Sequence, residues 1–95
     1  MRIISRKPLD EFALKHPETK SGLDYWYSLM KSNNFSSLVE MRAIFPSADQ
    51  VGHLTIFNIG GNKVRMITAV HYNTKIVYVR HVLTHSEYDE DKWKE

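Results

Sequence analysis

Near its end the chain carries Thr84-His85-Ser86-Glu87-Tyr88-Asp89, and earlier a Gly60-Gly61-Asn62-Lys63-Val64-Arg65 run. Both stretches hold residue types that move protons or hold anions. A histidine changes charge near neutral pH, so His85 suits either half of an acid–base cycle. Tyr88 offers a phenol proton or a flat face for a nucleic-acid base. Lys63 and Arg65 supply fixed positive charge, which lowers a barrier wherever negative charge develops. These groups fit phosphodiester cleavage in RNA, where the substrate's own 2′-hydroxyl is the nucleophile. Such cleavage needs a base, an acid for the departing 5′-oxygen and cations around the phosphorane. The plainer reading of His85 is a surface histidine at a strand end.

Other chemistries find less support. With no cysteine in the chain, disulfides, thiolate metal sites and cysteine nucleophiles are excluded. His81 and His85 are spaced HxxxH, but residue 82 is Val, so the Glu of a zinc-protease motif is missing. On a strand, four residues span about 13 Å, too far for two ligands of one ion. No GxSxG turn supports a serine nucleophile. The glycines of GGNK precede a strand, so a hairpin turn suits them better than a phosphate loop. Neither a metal nor another cofactor is expected.

The elements that must hold these residues follow from periodicity. Ninety-five residues, 42% hydrophobic and 25% charged, make one globular domain, residues 1–95. RIIS (2–5) is expected as a short strand. Pro8 opens a helix with Leu9, Phe12, Ala13 and His16 at helical spacing, and Pro17 closes it. A second helix over about 19–32 carries Leu23, Trp26, Tyr27 and Met30 on one face, an arrangement that marks core. Leu38, Met41, Ala43 and Ile44 form a helical turn or short covering segment, and Pro46, Ser47, Asp49 and Gly52 mark a loop. The period then becomes two. HLTIFNI (53–59), KVRMITAVHY (63–72) and KIVYVRHVLTH (75–85) are expected as a three-stranded antiparallel meander.

Side-chain parity places Val64, Met66, Thr68, Val70 and Tyr72 on one face of the middle strand, under the helices. Lys63, Arg65, Ile67, Ala69 and His71 take the other face, with small Ala69 leaving room behind the cations. On the third strand Tyr78, Arg80, Val82 and Thr84 should alternate with Val77, Val79, His81, Leu83 and His85. In an antiparallel meander the end of the third strand lies beside the start of the second. His85 should therefore arrive near Lys63 and Arg65, with Tyr88 one turn further. Residues 1–85 hold 11 Lys or Arg against 6 Asp or Glu, whereas residues 86–95 hold 2 against 5. A basic body of this kind attracts polyanions, and an acidic tail is otherwise an ordinary solvated end. MRIISRKPLDEF has no apolar run of the signal-peptide kind, and no stretch approaches a membrane span. A cytosolic protein without a membrane role is expected.

FPSAD (45–49), FNIGGNKVRMI (57–67), YVRHVLTHSEYD (78–89) and the N-terminal RIISRKPLDEF and LDYWYSLM resemble HigB-type toxins of bacterial toxin–antitoxin operons. The resemblance covers nearly the whole chain, and FNxGGNxxR with THxEYD in order is its most specific part. It implies an α+β, RelE-like fold: two N-terminal helices on an antiparallel sheet, with a short C-terminal helix. It further implies a metal-independent endoribonuclease that cleaves mRNA on the translating ribosome in the bacterial cytoplasm. The implied partners are a HigA-type helix-turn-helix antitoxin, the ribosome with its mRNA, and operator DNA reached through the antitoxin complex. Arg65, His85, Tyr88 and Lys63 are the expected catalytic set, and Asn62, Arg80 and Lys75 the expected RNA contacts. RelE-like enzymes often place arginine or lysine where histidine stands here, so the division of roles is open. Structural roles compete with several of these. Arg80 could serve an ion pair, Asp89 could cap the tail helix or orient His85, and Glu87, Glu90 and Asp91 fit a helix N-terminus. A non-catalytic nucleic-acid-binding module using the same basic edge is the alternative function, followed by a pure protein-interaction domain.

Overall fold

The change of period near Gly52 separates the three N-terminal helices from the three-stranded meander, as expected. The structure, a computed structural model, describes residues 1–61 and 63–94. Strand β1 (Arg2–Ile4) leads into helices α1 (Lys7–Lys15), α2 (Lys20–Ser32) and α3 (Leu38–Ile44). Strands β2 (Asp49–Val51), β3 (Leu54–Ile59), β4 (Val64–His71) and β5 (Ile76–Thr84) follow, and helix α4 (His85–Asp89) with a final 3-10 turn at Lys92–Lys94 completes the chain. Among the described residues, no helix is long and apolar enough to cross a membrane.

Helix α1 starts with Pro8 in its first turn, buries Leu9 and Phe12, and stops before Pro17. Helix α2 buries Leu23, Trp26 and Met30. Ser37 caps α3 by accepting from the Glu40 N–H at 3.2 Å, a bond that satisfies one of the helix's orphan donors. Together these helices cover one face of the sheet. Leu9, Phe12, Leu23, Trp26, Met30 and Met41 pack with Phe57, Val64, Met66, Val77 and Val79 in one core. The Trp26 ring meets Phe57 edge-on at 5.5 Å, and Phe57 meets Phe45 at 5.2 Å. Each such side chain, buried, stabilises by roughly 1.5–3 kcal/mol before entropy is counted. The α+β arrangement expected from periodicity is therefore present, with the predicted meander as its centre.

The sheet goes further than the meander. Its order is β1-β5-β4-β3-β2, and β1 pairs with β5 in parallel, so the sheet is mixed and not wholly antiparallel. Within the stretch expected as loop, Asp49–Val51 pairs with β3 as an edge strand. Gly60 and Gly61 turn β3 into β4 with φ of 66° and 61°, a region open to glycine at little cost.

Two corrections concern side-chain direction. Ile67 pairs with His81 but Thr68 pairs with Val79, so Arg80 is the extra residue of a β-bulge. A bulge resets parity, and Val82 joins Val77 and Val79 against the main core instead of alternating away from them. The second face is also less open than expected. Leu54, Ile56, Ile67 and Ala69 form a small second core closed by Trp93 from the tail. The space behind the cations is thus filled by an indole.

Candidate functional site

Arg65 stands near the start of β4, with Asn58 of β3 opposite it on one side and Leu83 of β5 on the other. Its guanidinium carbon lies 5.6 Å from the centroid of the Tyr88 ring, within reach of a cation–π interaction, and its Nη1 donates to the Val64 carbonyl at 3.5 Å. Tyr88 is held in turn by the tail. The Trp93 indole stacks on it at 4.9 Å with planes 13° apart, and the indole N–H donates to the Tyr88 carbonyl at 2.9 Å. One face of the Tyr88 ring is therefore occupied within the protein, which restricts its use as a stacking platform.

Arg65 and Tyr88 line an open cleft of about 500 Å³, with Arg42, Ile56, Asn58 and the 46–49 segment forming the rest. Arg42 reaches in from α3. Its Nε donates to the Ala48 carbonyl at 2.8 Å, and its Nη2 lies 3.6 Å from Asp49 Oδ1. Two guanidinium groups thus border one cleft, each anchored by local contacts. Their planar donor arrays suit phosphate oxygens.

His85 stands beside this cleft and not among its walls. The Val64–Thr84 pair is the last of the β4–β5 ladder, and one further step would set Lys63 against His85. Lys63 is exposed in the turn before β4, two residues ahead of Arg65 in the chain. The chain turns into α4 at His85 because of a capping box. Thr84 Oγ1 accepts from the Glu87 N–H at 3.2 Å, and Glu87 accepts from the Thr84 N–H at 2.9 Å. This box satisfies two backbone donors reciprocally. Glu87 is thus a specific cap partner. Asp89 is not the cap; its Oδ2 lies 3.3 Å from His85 Nδ1. The His85 side chain remains 54% exposed.

The remaining expected RNA contacts fall elsewhere. Arg80, exposed at the bulge, borders a separate cleft of about 330 Å³ against α1, near Lys15, His16 and Glu87. Lys75 sits in the β4–β5 turn with φ of 60°, at the opposite end of β5 from His85, roughly 30 Å away by strand rise. Its Nζ donates to the Phe35 carbonyl at 2.9 Å and to Ser36 Oγ at 3.0 Å, tying that turn to the segment before α3. Asn62 lies outside the described residues. Arg42, Asn58 and Trp93 were missed by the sequence reading. An arginine inside a helix has no distinguishing signal, but a lone tryptophan in a polar tail is one.

A model of the HigB toxin family, a RelE-like toxic component of a toxin–antitoxin system, matches residues 19–91. The chain belongs to that family. It is 35% identical over 92 residues to the mRNA interferase HigB of Escherichia coli O6:H1 (strain CFT073), spanning 94% of this chain and 89% of that protein. It is 34% identical over the same length to the mRNA interferase toxin HigB of Escherichia coli K12 and to the mRNA interferase HigB of Shigella flexneri, spanning 88% of each. The four helices and five-stranded sheet are accordingly a RelE-like toxin fold, and an antitoxin is the partner that a HigB toxin requires.

Proposed function

We propose that this HigB-family chain is an endoribonuclease that cleaves mRNA on the translating ribosome and so inhibits translation. The observation that carries the reading is Arg65 set over Tyr88 in a polar, open cleft, with the His85–Asp89 pair at its edge. The substrate's 2′-oxygen gives its proton to the His85 imidazole and attacks the adjacent phosphorus, the P–O5′ bond breaks, and the departing 5′-oxygen takes a proton from the Tyr88 phenol or from water, leaving a 2′,3′-cyclic phosphate and a 5′-hydroxyl. Arg65 holds the charge that builds on the phosphorane oxygens, and Lys63 adds a second cation at the turn. Asp89 engages His85 Nδ1, which leaves Nε2 as the proton-transfer atom. Tyr88 keeps the guanidinium in place, its phenol facing the same substrate. Arg42 extends the positive wall to the neighbouring phosphate.

No metal enters this scheme, because the nucleophile belongs to the substrate and the cations to the protein. The partner that restrains the toxin is a HigA-type helix-turn-helix antitoxin, through which the complex reaches operator DNA. Toxin action takes place in the bacterial cytoplasm, where translating ribosomes are found.

The site holds cations but one strong proton-transfer group, so the ribosome must supply much of the substrate alignment. The test is cleavage of one mRNA, naked and ribosome-bound, at equal salt. Clear cleavage of the bound message and weak cleavage of the naked one are expected. Pretreating the toxin with EDTA, then removing the chelator before ribosomes are added, should leave the rate unchanged. Equal rates on both substrates, or a rate restored only by added zinc, would contradict the scheme.

A further inference from the structure

The Tyr88 ring gives one face to Trp93, so a platform for an unpaired base has to be sought outside the cleft. The sheet face turned away from the helices offers one. Ile3, Val70, Val77 and Val79 belong to the main core, so their neighbours along each strand point to the other side. There Trp93 closes over Leu54, Ile56, Ile67 and Ala69. Toward β1, beyond that small core, the side chains are exposed. Arg2 of β1 and His71 of β4 flank Ile76 of β5, and Tyr78 lies diagonally across the ladder from His71. The His71 and Tyr78 rings meet edge-to-face at 5.1 Å with planes 77° apart. Such a pair steadies both rings without stacking them. Tyr78 is 39% exposed, and Arg2 and His71 are exposed as well.

Charge singles out the occupant. Strands β1, β4 and β5 carry Arg2, Arg65 and Arg80 and not one Asp or Glu. His81 pairs with Ile67 and shares its face, and Arg80, the extra residue of the bulge, is exposed next to it. Bulges re-aim side chains in this way. Neither Arg2 nor Arg80 has an ion-pair partner among the described residues. The acids nearest in the tail have their own partners, Glu90 with Lys92 and Asp91 with Lys94. Arginines interleaved with exposed rings are the combination that holds single-stranded nucleic acid, cations following the phosphates while rings stack on bases. A double helix keeps its bases stacked on one another and offers no such face.

We infer that the open sheet face around Tyr78 and His71, bordered by Arg2 and Arg80, is a binding track for a single-stranded segment of the mRNA beside the cut. The inference rests on the proposed mRNA cleavage and adds where the flanking strand is held. Along β5 the track starts at His81, about 7 Å from Leu83, the neighbour of Arg65, and reaches Ile76 at about 20 Å. One strand of RNA thereby occupies the catalytic cleft and this face at the same time.

The experiment measures binding of 2′-O-methyl RNA, which lacks the attacking hydroxyl and stays intact, by fluorescence anisotropy across a salt series. A strand of roughly 12 nucleotides, within the range of single-strand sites, is compared with a trinucleotide that fills the cleft alone. Wild type, Tyr78→Ala, Tyr78→Phe and the double variant Arg2→Ala/Arg80→Ala are used, each first checked for a cooperative unfolding transition. Tyr78→Ala should weaken binding of the long strand about 10-fold, and Tyr78→Phe should restore it. The double variant should lower the slope of log K against log salt by about 1.4, the release expected for two single-strand phosphate contacts. Trinucleotide binding should stay within about 2-fold throughout. If Tyr78→Ala and the double variant bind the long strand as wild type does, the inference is overturned. It is overturned also if they bind RNA normally and lose only antitoxin binding, since the face then receives the antitoxin. A wild type with Tyr78-dependent RNA binding that cleaves no ribosome-bound message would defeat the proposed function and still support the track.

Discussion

Trp93→Ala tests whether the tail builds the site or merely follows it. The indole is 6% exposed and closes the small core of Leu54, Ile56, Ile67 and Ala69. Truncating a buried tryptophan to alanine costs about 3–5 kcal/mol in a rigid core. This core lies near the surface and its lid can partly collapse, so the lower figure applies. The lost N–H bond to the Tyr88 carbonyl, about 1 kcal/mol, is included in it. For a domain of this length each kcal/mol shifts Tm by roughly 4–8 °C, so a loss of about 3 kcal/mol should lower Tm by roughly 12–24 °C. The folded fraction should also cleave about 10- to 100-fold more slowly at 25 °C. Tyr88 loses the ring that aligns it, and Arg65 loses a fixed Tyr88. Trp93→Phe keeps a stacking ring without the N–H and should cost about 1 kcal/mol with little loss of rate. The assay is thermal unfolding by circular dichroism together with single-turnover cleavage of ribosome-bound mRNA. A Trp93→Ala protein with wild-type Tm and wild-type rate would mean that the tail merely follows the site.

Three further perturbations separate proton transfer from architecture. His85→Ala should lower the rate by about 100- to 10,000-fold, and Asp89→Asn, which weakens the hold on Nδ1, should cost about 10-fold; a His85→Ala rate equal to wild type would make that histidine a strand terminator only. Lys75→Ala should lower stability by about 1–2 kcal/mol through its two lost hydrogen bonds while leaving single-turnover cleavage within about 2-fold, and a large loss of cleavage at unchanged stability would return Lys75 to the RNA-contacting set.

The helices and the meander were legible because their signals are redundant. Leu9 and Phe12, or Leu23, Trp26 and Met30, repeat one spacing, and each turn between strands carries its own glycine or asparagine. The convergence of Arg65 and Tyr88 was legible from parity and antiparallel pairing alone. The missed features lack such redundancy. The bulge at Arg80 inserts one residue with no glycine to mark it, and so shifts Val82 to the core unannounced. Strand β2, three residues with Asp49 and Gln50 exposed, has no alternation to detect. A three-residue β1 carries no information on whether it pairs parallel or antiparallel. Trp93 was hidden by its charged neighbours, although a large aromatic among them was reason to expect burial. Lys75 illustrates a contact with no signal in the sequence: expected among the RNA contacts, it also ties its turn to Phe35 and Ser36, far away in the chain.

In the proposed scheme a protein cation at Arg65 stabilises the phosphorane during mRNA cleavage. Single-turnover cleavage of ribosome-bound mRNA at saturating toxin, compared for wild type, Arg65→Lys and Arg65→Ala, tests it most directly. A fall of about 100-fold or more for Arg65→Ala is predicted, with partial recovery in Arg65→Lys, because the ammonium restores charge without the planar donor array. An Arg65→Ala rate within about 3-fold of wild type, in a protein of unchanged stability, would contradict the claim.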